Sequence, residues 1–214
     1  MPASFLIMTI VEDLIKNKIL QTPDIISAFR KISRAVFLPP QMASLAELDE
    51  PLSIGQGQTN SQPFTVAFMF EKLQPNLGDR ILDVGCGSGW TTALAAEIAG
   101  ARGRVYGIEI ISELLKAAEI NLKKYDYVTS GRAKLFLGDG RLGLPGKAPF
   151  DKIIVSAATE EIPKLLLEQL KIGGRMILPL GRVSGVQSLA LIEKRAGGKL
   201  KRTDFPGFVF VPLI

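Results

Sequence analysis

The stretch that decides the fold is Ile81–Trp90, ILDVGCGSGW. A short β-type run carries Asp83 and breaks at Gly85, Gly87 and Gly89, and a helical pattern, WTTALAAEIAG, begins at once from Trp90. Glycine lets a backbone turn sharply and approach a ligand closely. A strand, a glycine turn and a helix in that order put the turn at the carboxyl end of a strand, where open α/β sheets bind ligands. The spacing is G-x-G-x-G, not the G-x-G-x-x-G of dinucleotide-binding folds, and no lysine follows as in a P-loop.

Outward from this turn the chain alternates strand and helix patterns. GRVYGIEI (103–110), RAKLFLGD (132–139), DKIIVSAA (151–158) and RMILPLG (175–181) read as strands. SELLKAAEINLKKY reads as a helix opened by Ser112 with Leu115, Ala118 and Leu122 on one face. EIPKLLLEQL reads as a helix stopped by Gly173-Gly174, and VQSLALIEK and FVFVPL as two closing strands whose order stays open. The expected fold is α/β: a doubly wound, mostly parallel, seven-stranded Rossmann-like sheet with helices on both faces.

Ahead of this core, Val11, Leu14, Ile15 and Ile19 mark one amphipathic helix and TPDIISAFRKIS a second, ended by FLPP. Residues 1–53 therefore read as a helical extension, 54–63 as a polar segment and 64–214 as the core, all in one domain. FTVAFMFEKL (64–73) is apolar on several sides, so it reads as a buried helix with Pro63 in its first turn and Ser61 or Gln62 near its cap. The polar segment IGQGQTNSQP (54–63) thus ends at a helix N-terminus, where free N–H groups favour negative charge.

Composition narrows the chemistry. Of 214 residues, 47% are hydrophobic and 22% charged, which specifies a globular chain and not a disordered one. Histidine is absent and Cys86 is the one cysteine. That removes imidazole-based nucleophilic catalysis, internal disulfides and structural zinc sites, so no metal is expected. The net charge of +5 is spread along the chain. The basic cluster Lys194, Arg195, Lys199, Lys201 and Arg202 lacks interleaved aromatics, so it reads as a solvated hairpin tip and not a nucleic-acid surface. No apolar run reaches the length of a membrane span, and the start MPASFLIMTIV lacks a basic leader. A cytoplasmic, monomeric protein is expected.

Two further acids sharpen the site. Glu109 ends the second strand of the core, where a carboxylate could accept both hydroxyls of a ribose, and Asp139 ends the third. Asp83, Glu109 and Asp139 would line one rim of the sheet. This constellation resembles the class I S-adenosylmethionine-dependent methyltransferases. The resemblance implies that Gly85 and Gly87 pack against the methionine part of the donor, that Glu109 holds its ribose, and that Asp139, with Gly140 beside it, lies near its adenine. Asp83 would orient the loop or the donor's amino group. The Asn/Asp-Pro-Pro-Tyr signature of amino-methylating enzymes is missing: VSAATEEIP stands after the fourth strand. Cys86 lies inside the glycine turn and is no attacking nucleophile. A carboxylate acceptor, ionised at neutral pH, needs no base and suits a chain without histidine.

PLSIGQGQTNSQPFTVAFMFEKL (51–73) is similar to the signature of protein-L-isoaspartate O-methyltransferases. SRAVFLPP, DVGCGSGWTTALAA, GDGRLGLPGKAPFDKIIVSAA, IPKLLLEQLKIGGRMILPLG and VFVPL extend the likeness over residues 10–214 in the family's order. It implies methylation of the free carboxylate of L-isoaspartyl residues in damaged proteins or peptides. S-adenosylmethionine would be the donor and S-adenosylhomocysteine the product, and the ester would close to a succinimide. Ser61 matches the family's active-site serine and would hold the acceptor carboxylate; Thr59, Gln58 and Val211 would shape the acceptor site. VFVPL would either pair with the substrate backbone or form an ordinary core strand. One departure stands out: the family has Ile between Thr and Ser where this chain has Asn60. A polar amide there either faces solvent or rearranges the pocket. The alternative reading keeps the donor and changes the acceptor to a specific peptide aspartate or a small-molecule carboxylate.

Overall fold

A computed structural model describes residues 9–182 and 185–213; the first eight residues of the apolar start, and its reading as no leader, lie outside them. Two short helices, α1 (Ile10–Lys16) and α2 (Pro23–Lys31), open the chain, and Ile19 falls beyond the end of α1. A two-stranded hairpin follows, β1 (Leu52–Gly55) with β2 (Gln58–Asn60), and then α3 (Pro63–Leu73). The core continues through β3 (Arg80–Val84), α4 (Trp90–Ala99), β4 (Arg104–Glu109), α5 (Ser112–Lys123), β5 (Ala133–Leu137) and β6 (Phe150–Val155). It closes with α6 (Lys164–Gln169), β7 (Leu170–Leu180), β8 (Gln187–Lys194) and β9 (Leu200–Phe208).

The main sheet has seven strands in the order β5-β4-β3-β6-β7-β8-β9. The pairings from β5 across to β7 are parallel, and β8 runs antiparallel to both of its neighbours. The order reverses at β3, which lies between β4 and β6, so a crevice opens at its carboxyl end. Strands buried on both faces must be apolar almost throughout, and Ile81, Leu82 and Val84 of β3 are fully buried. Ile81 joins one core with α2, α3 and α4, whereas Leu82 and Val84 face a second core with Leu166 of α6. On α5 the buried stripe is Leu114, Ala118 and Leu122; Leu115 of the expected face is only half-buried.

The sheet departs from expectation at its last strand. FVFVPL is the more apolar segment, but β9 is formed by the charged residues before it, from Leu200. A tight turn at 195–199 folds the chain back, so that Leu200 pairs with Lys194 and Asp204 with Ala190. Local hairpin closure outweighs apolarity here, and charge on an edge strand discourages further pairing. Residues 209–213 leave the sheet and run toward the crevice.

The helix α6 also stops at Gln169, four residues short of the Gly173-Gly174 pair. Leu170 enters β7 opposite Phe150 and is fully buried in the second core. The Lys194 ammonium donates to the carbonyls of Leu167 and Leu170, both at 2.7 Å, closing the helix end. Among the described residues no helix is long and apolar enough to cross a membrane.

Candidate active site

The glycine turn after β3 is fixed by its neighbours. Gly85 and Cys86 donate their amides to the Ile108 carbonyl at 2.9 and 3.2 Å. The Gly87 amide donates to Glu109 Oε2 at 2.9 Å. Glu109 Oε1 accepts the amides of Ile110 and Ile111 at 2.9 and 3.0 Å. This carboxylate is buried, yet it lines the crevice with room for one more hydrogen bond on Oε2. Gly87 has φ +53°, and an added Cβ would lie 3.2 Å from Ile54 Cδ1 of the hairpin. A side chain there would fill the space between loop and hairpin.

Asp83 lies beneath the loop, fully buried, outside the crevice lining. Its Oδ2 accepts the hydroxyls of Thr91 and Thr92 at 2.7 and 2.6 Å, while Oδ1 has no partner among the described residues. Burial pushes its pKa up to about 6; the two threonines oppose that rise and the Glu109 charge adds to it. Of the two roles expected for Asp83, this placement favours orienting the loop.

Asp139 is turned aside. It accepts the Arg141 amide at 2.8 Å and pairs with the Arg141 guanidinium through both oxygens. The hydrogen bonds from Arg141, its side chain above all, and then its charge hold the carboxyl below its usual range against partial burial. Gly138 and Gly140, not Asp139, line the crevice. A Cβ on Gly140 would meet Val84 Cγ1 at 2.4 Å, so this wall requires glycine.

The hairpin β1–β2 accounts for the polar segment. Its turn residues Gln56 and Gly57 have φ of +54° and +70°, the left-handed pair that a tight two-residue hairpin turn requires. It delivers Gln58, Thr59, Asn60 and Ser61 to the crevice wall. Ser61 is half-buried; its carbonyl accepts Arg34 Nη2 at 3.1 Å, and its hydroxyl has no partner among the described residues. Gln62, not Ser61, stands at the N-cap position of α3, and its side chain makes no capping hydrogen bond. The expected free helix N-terminus is corrected here. Pro63 has no N–H, and the Phe64 amide is taken by Asp49 Oδ1 at 2.8 Å, so a carboxylate already occupies that end.

Val211 is part of no core strand. Its carbonyl accepts the Ala158 amide at 2.7 Å, and the Leu213 amide returns to Ala158 at 2.8 Å. Phe210 is pinned by Gln187 Oε1 at 2.8 Å.

Two hollows meet here. One, of about 740 Å³ including space open to solvent, runs from the glycine loop past Glu109, Ile110 and Leu114 to Gly138 and Gly140. The other, about 790 Å³ on the same measure, is bounded by Pro51, Phe64 and the 207–211 segment. Thr59, Ser61, Ser156 and Val211 belong to both. The first fits a nucleoside-bearing donor. It offers a close backbone approach at Gly87, a carboxylate with one open site and apolar flanks in Ile110, Ile111 and Leu114.

Sequence reading missed Arg34, Ser88 and Ser156. Arg34 sits alone among the apolar residues of SRAVFLPP, and a lone charge in such a run is a signal of a buried, paired cation. Ser156 carried no signal beyond being a small polar residue at a strand end.

Comparison with known proteins agrees with this geometry. Residues 7–214 match the protein-L-isoaspartate(D-aspartate) O-methyltransferase (PCMT) family. A protein-L-isoaspartate O-methyltransferase of Aeropyrum pernix is 41% identical over 207 residues, 97% of this chain and 78% of that one. Protein-L-isoaspartate O-methyltransferase 2 of Anaeromyxobacter is 45% identical over 203 residues, 95% of this chain and 81% of its own. A Plasmodium falciparum protein assigned to the same family, crystallised with S-adenosyl-L-homocysteine, superposes with a TM-score of 0.86 over 96% of each chain; at 23% identity this shows the fold alone. With the match running from the N-terminal helices through the hairpin and both hollows to the last residue, the chain belongs to the protein-L-isoaspartate(D-aspartate) O-methyltransferase family.

Proposed function

We propose that this chain methylates the free carboxylate of L-isoaspartyl residues in proteins or peptides, using S-adenosylmethionine and releasing S-adenosylhomocysteine. The methyl ester then closes to a succinimide and opens the route to repair. The observation that carries the reading is the wall shared by the two hollows, with the Ser61 hydroxyl in it, unpartnered among the described residues.

When bound, S-adenosylmethionine supplies an electrophilic methyl on a sulfonium. Gly85 and Gly87 would face its methionine part, Glu109 Oε2 would accept one ribose hydroxyl, and Gly138 and Gly140 would flank its base. Asp83 holds the loop from below through Thr91 and Thr92. On the acceptor side, Ser61 would donate its hydroxyl to one carboxylate oxygen and so aim the other. Thr59, Gln58 and Val211 would bound the space around it. No base is required, because the acceptor is ionised at neutral pH. What these residues contribute is position, and holding two reacting groups in line can supply about 7–11 kcal/mol of a barrier.

The buried free thiol of Cys86 suits a reducing compartment such as the cytoplasm.

Labelled S-adenosylmethionine and two peptides, differing only in isoaspartate against aspartate at one position, test the assignment. Base-labile methyl incorporation into the isoaspartyl peptide alone is expected. Donor binding without incorporation into either would overturn it and direct attention to other carboxylate acceptors.

A further inference from the structure

We propose that Asn60 is a positioning residue that couples the donor loop to the acceptor segment. The proposal rests on the assignment of the two hollows above and adds a link between them.

The link begins at Arg34, which is 4% exposed. Its guanidinium donates to the carbonyls of Ala46, Leu48 and Glu50 at 3.2, 2.9 and 2.7 Å on one side. On the other it reaches the carbonyls of Asn60 and Ser61 at 3.2 and 3.1 Å, and it lies 5.5 Å from the centre of the Trp90 ring. Burial lowers its pKa to about 10, a shift that Asp49 and Glu47 partly offset.

Arg34 Nε–H has one remaining target, Asn60 Oδ1 at 3.0 Å. Arginine has only donors, so the amide of Asn60 must present its oxygen to Arg34 and its nitrogen elsewhere. That nitrogen faces Ser88 Oγ at 3.4 Å, inside the glycine loop. Asn60 and Ser88 are each 5% exposed. An aliphatic residue at this position would fill the same volume. It would leave Arg34 Nε–H unpaired and cut the hydrogen bond to the loop.

The polar side chain at position 60 thus neither faces solvent nor stands idle. It joins the loop that would touch the donor, through Ser88, to Arg34, which also holds the Ser61 carbonyl. Because one guanidinium holds Asn60 Oδ1, the Ser61 carbonyl and the 46–50 carbonyls, a shift of the loop on donor binding reaches all three. Residues 46–50 line neither hollow, so any response there is transmitted and not direct. The amides of Ala46 and Leu48 are hydrogen-bonded in turns and serve as reporters.

The experiment pairs calorimetry with hydrogen exchange, using S-adenosylhomocysteine as the probe. In the wild type, saturation is expected to slow exchange across residues 45–50 by about fivefold or more, the lower edge of ordinary coupling between sites. Asn60→Leu should still bind the probe but lose that slowing. Ser88→Ala cuts the same link from the loop side with a small truncation, and should lose it too even if the leucine variant folds poorly. Slowing that persists undiminished in Ser88→Ala, or no slowing in the wild type, overturns the proposal. Failure of the wild type to bind the probe overturns the donor assignment and this proposal with it. Intact binding and coupling without isoaspartyl methylation overturns only the acceptor assignment.

Discussion

Glu71 of α3 holds Thr22 at the start of α2 by both its amide, at 2.8 Å, and its hydroxyl, at 2.7 Å. The same carboxylate accepts the Gln21 amide at 2.8 Å. The helix α2 has no side-chain cap from its own Thr22, so a residue 49 positions away anchors it to the core. Glu71→Ala should cost about 1–3 kcal/mol, the range for losing hydrogen bonds to a charged group. In a chain of this size that corresponds to a fall in Tm of roughly 2–12 °C. Thermal unfolding followed by circular dichroism measures it, and an unchanged midpoint would contradict the anchoring role.

Asp83 makes stability depend on pH in an uncommon direction. Its folded pKa is about 6 against an ordinary value of 3.8, so between these values the folded state holds the proton more tightly. The associated stability is fully present below about pH 4 and is lost as pH rises through 6. Relative to Asp83→Asn, the wild type should lose up to about 3 kcal/mol between pH 4 and pH 7. Urea unfolding of both proteins across that range checks the slope; a wild type that gains on the variant as pH rises would be inconsistent with a protonated, buried carboxyl.

Ser61→Ala should separate acceptor from donor. Losing one hydrogen bond to a charged acceptor should lower kcat/KM for an isoaspartyl peptide by about 10- to 100-fold. Affinity for S-adenosylhomocysteine should move by less than about threefold. Equal losses in both would assign Ser61 to the donor side.

Glu109→Gln should act the other way. A glutamine offers one oxygen where Glu109 uses two, and its amino group would oppose the Gly87 amide. Donor affinity should fall by about tenfold or more, measured by calorimetry. Retention of full affinity would show that the loop holds its shape without that carboxylate.

Cys86 gives a simple check on the loop's packing. Its thiol is buried, and burial above all, with the charges of Asp83 and Glu109, raises its pKa. Alkylation by iodoacetamide should be slow in the native protein and fast in denaturant. Rapid native labelling would mean that the glycine loop opens readily.

The parts of the molecule legible in the sequence are those set by local pattern. The strands carrying Ile81–Val84 and Ile153–Val155 are apolar but for Asp83 because both faces are covered, and a glycine turn follows the first of them. Gly85, Gly87 and Glu109 were legible because turn and strand end recur at fixed spacing. What escaped depends on distant partners or on turns. The charged run 200–204 becomes a strand only because β8 lies beside it. Asp139 is captured by an arginine two residues on, whose direction no spacing reveals. Asn60 is buried only because Arg34 needs an oxygen there.

The wall common to the two hollows has four residues, Thr59, Ser61, Ser156 and Val211. Under the proposed activity, such a threshold would sort visitors by posture before it sorts them by chemistry. A carboxylate on a loose loop or a chain end would be presented across it; the same group clasped inside a folded helix would not. Under the proposed activity, damage would be recognised where a client's own architecture has already let go, and an injury sealed within intact structure would pass unnoticed until that structure frays.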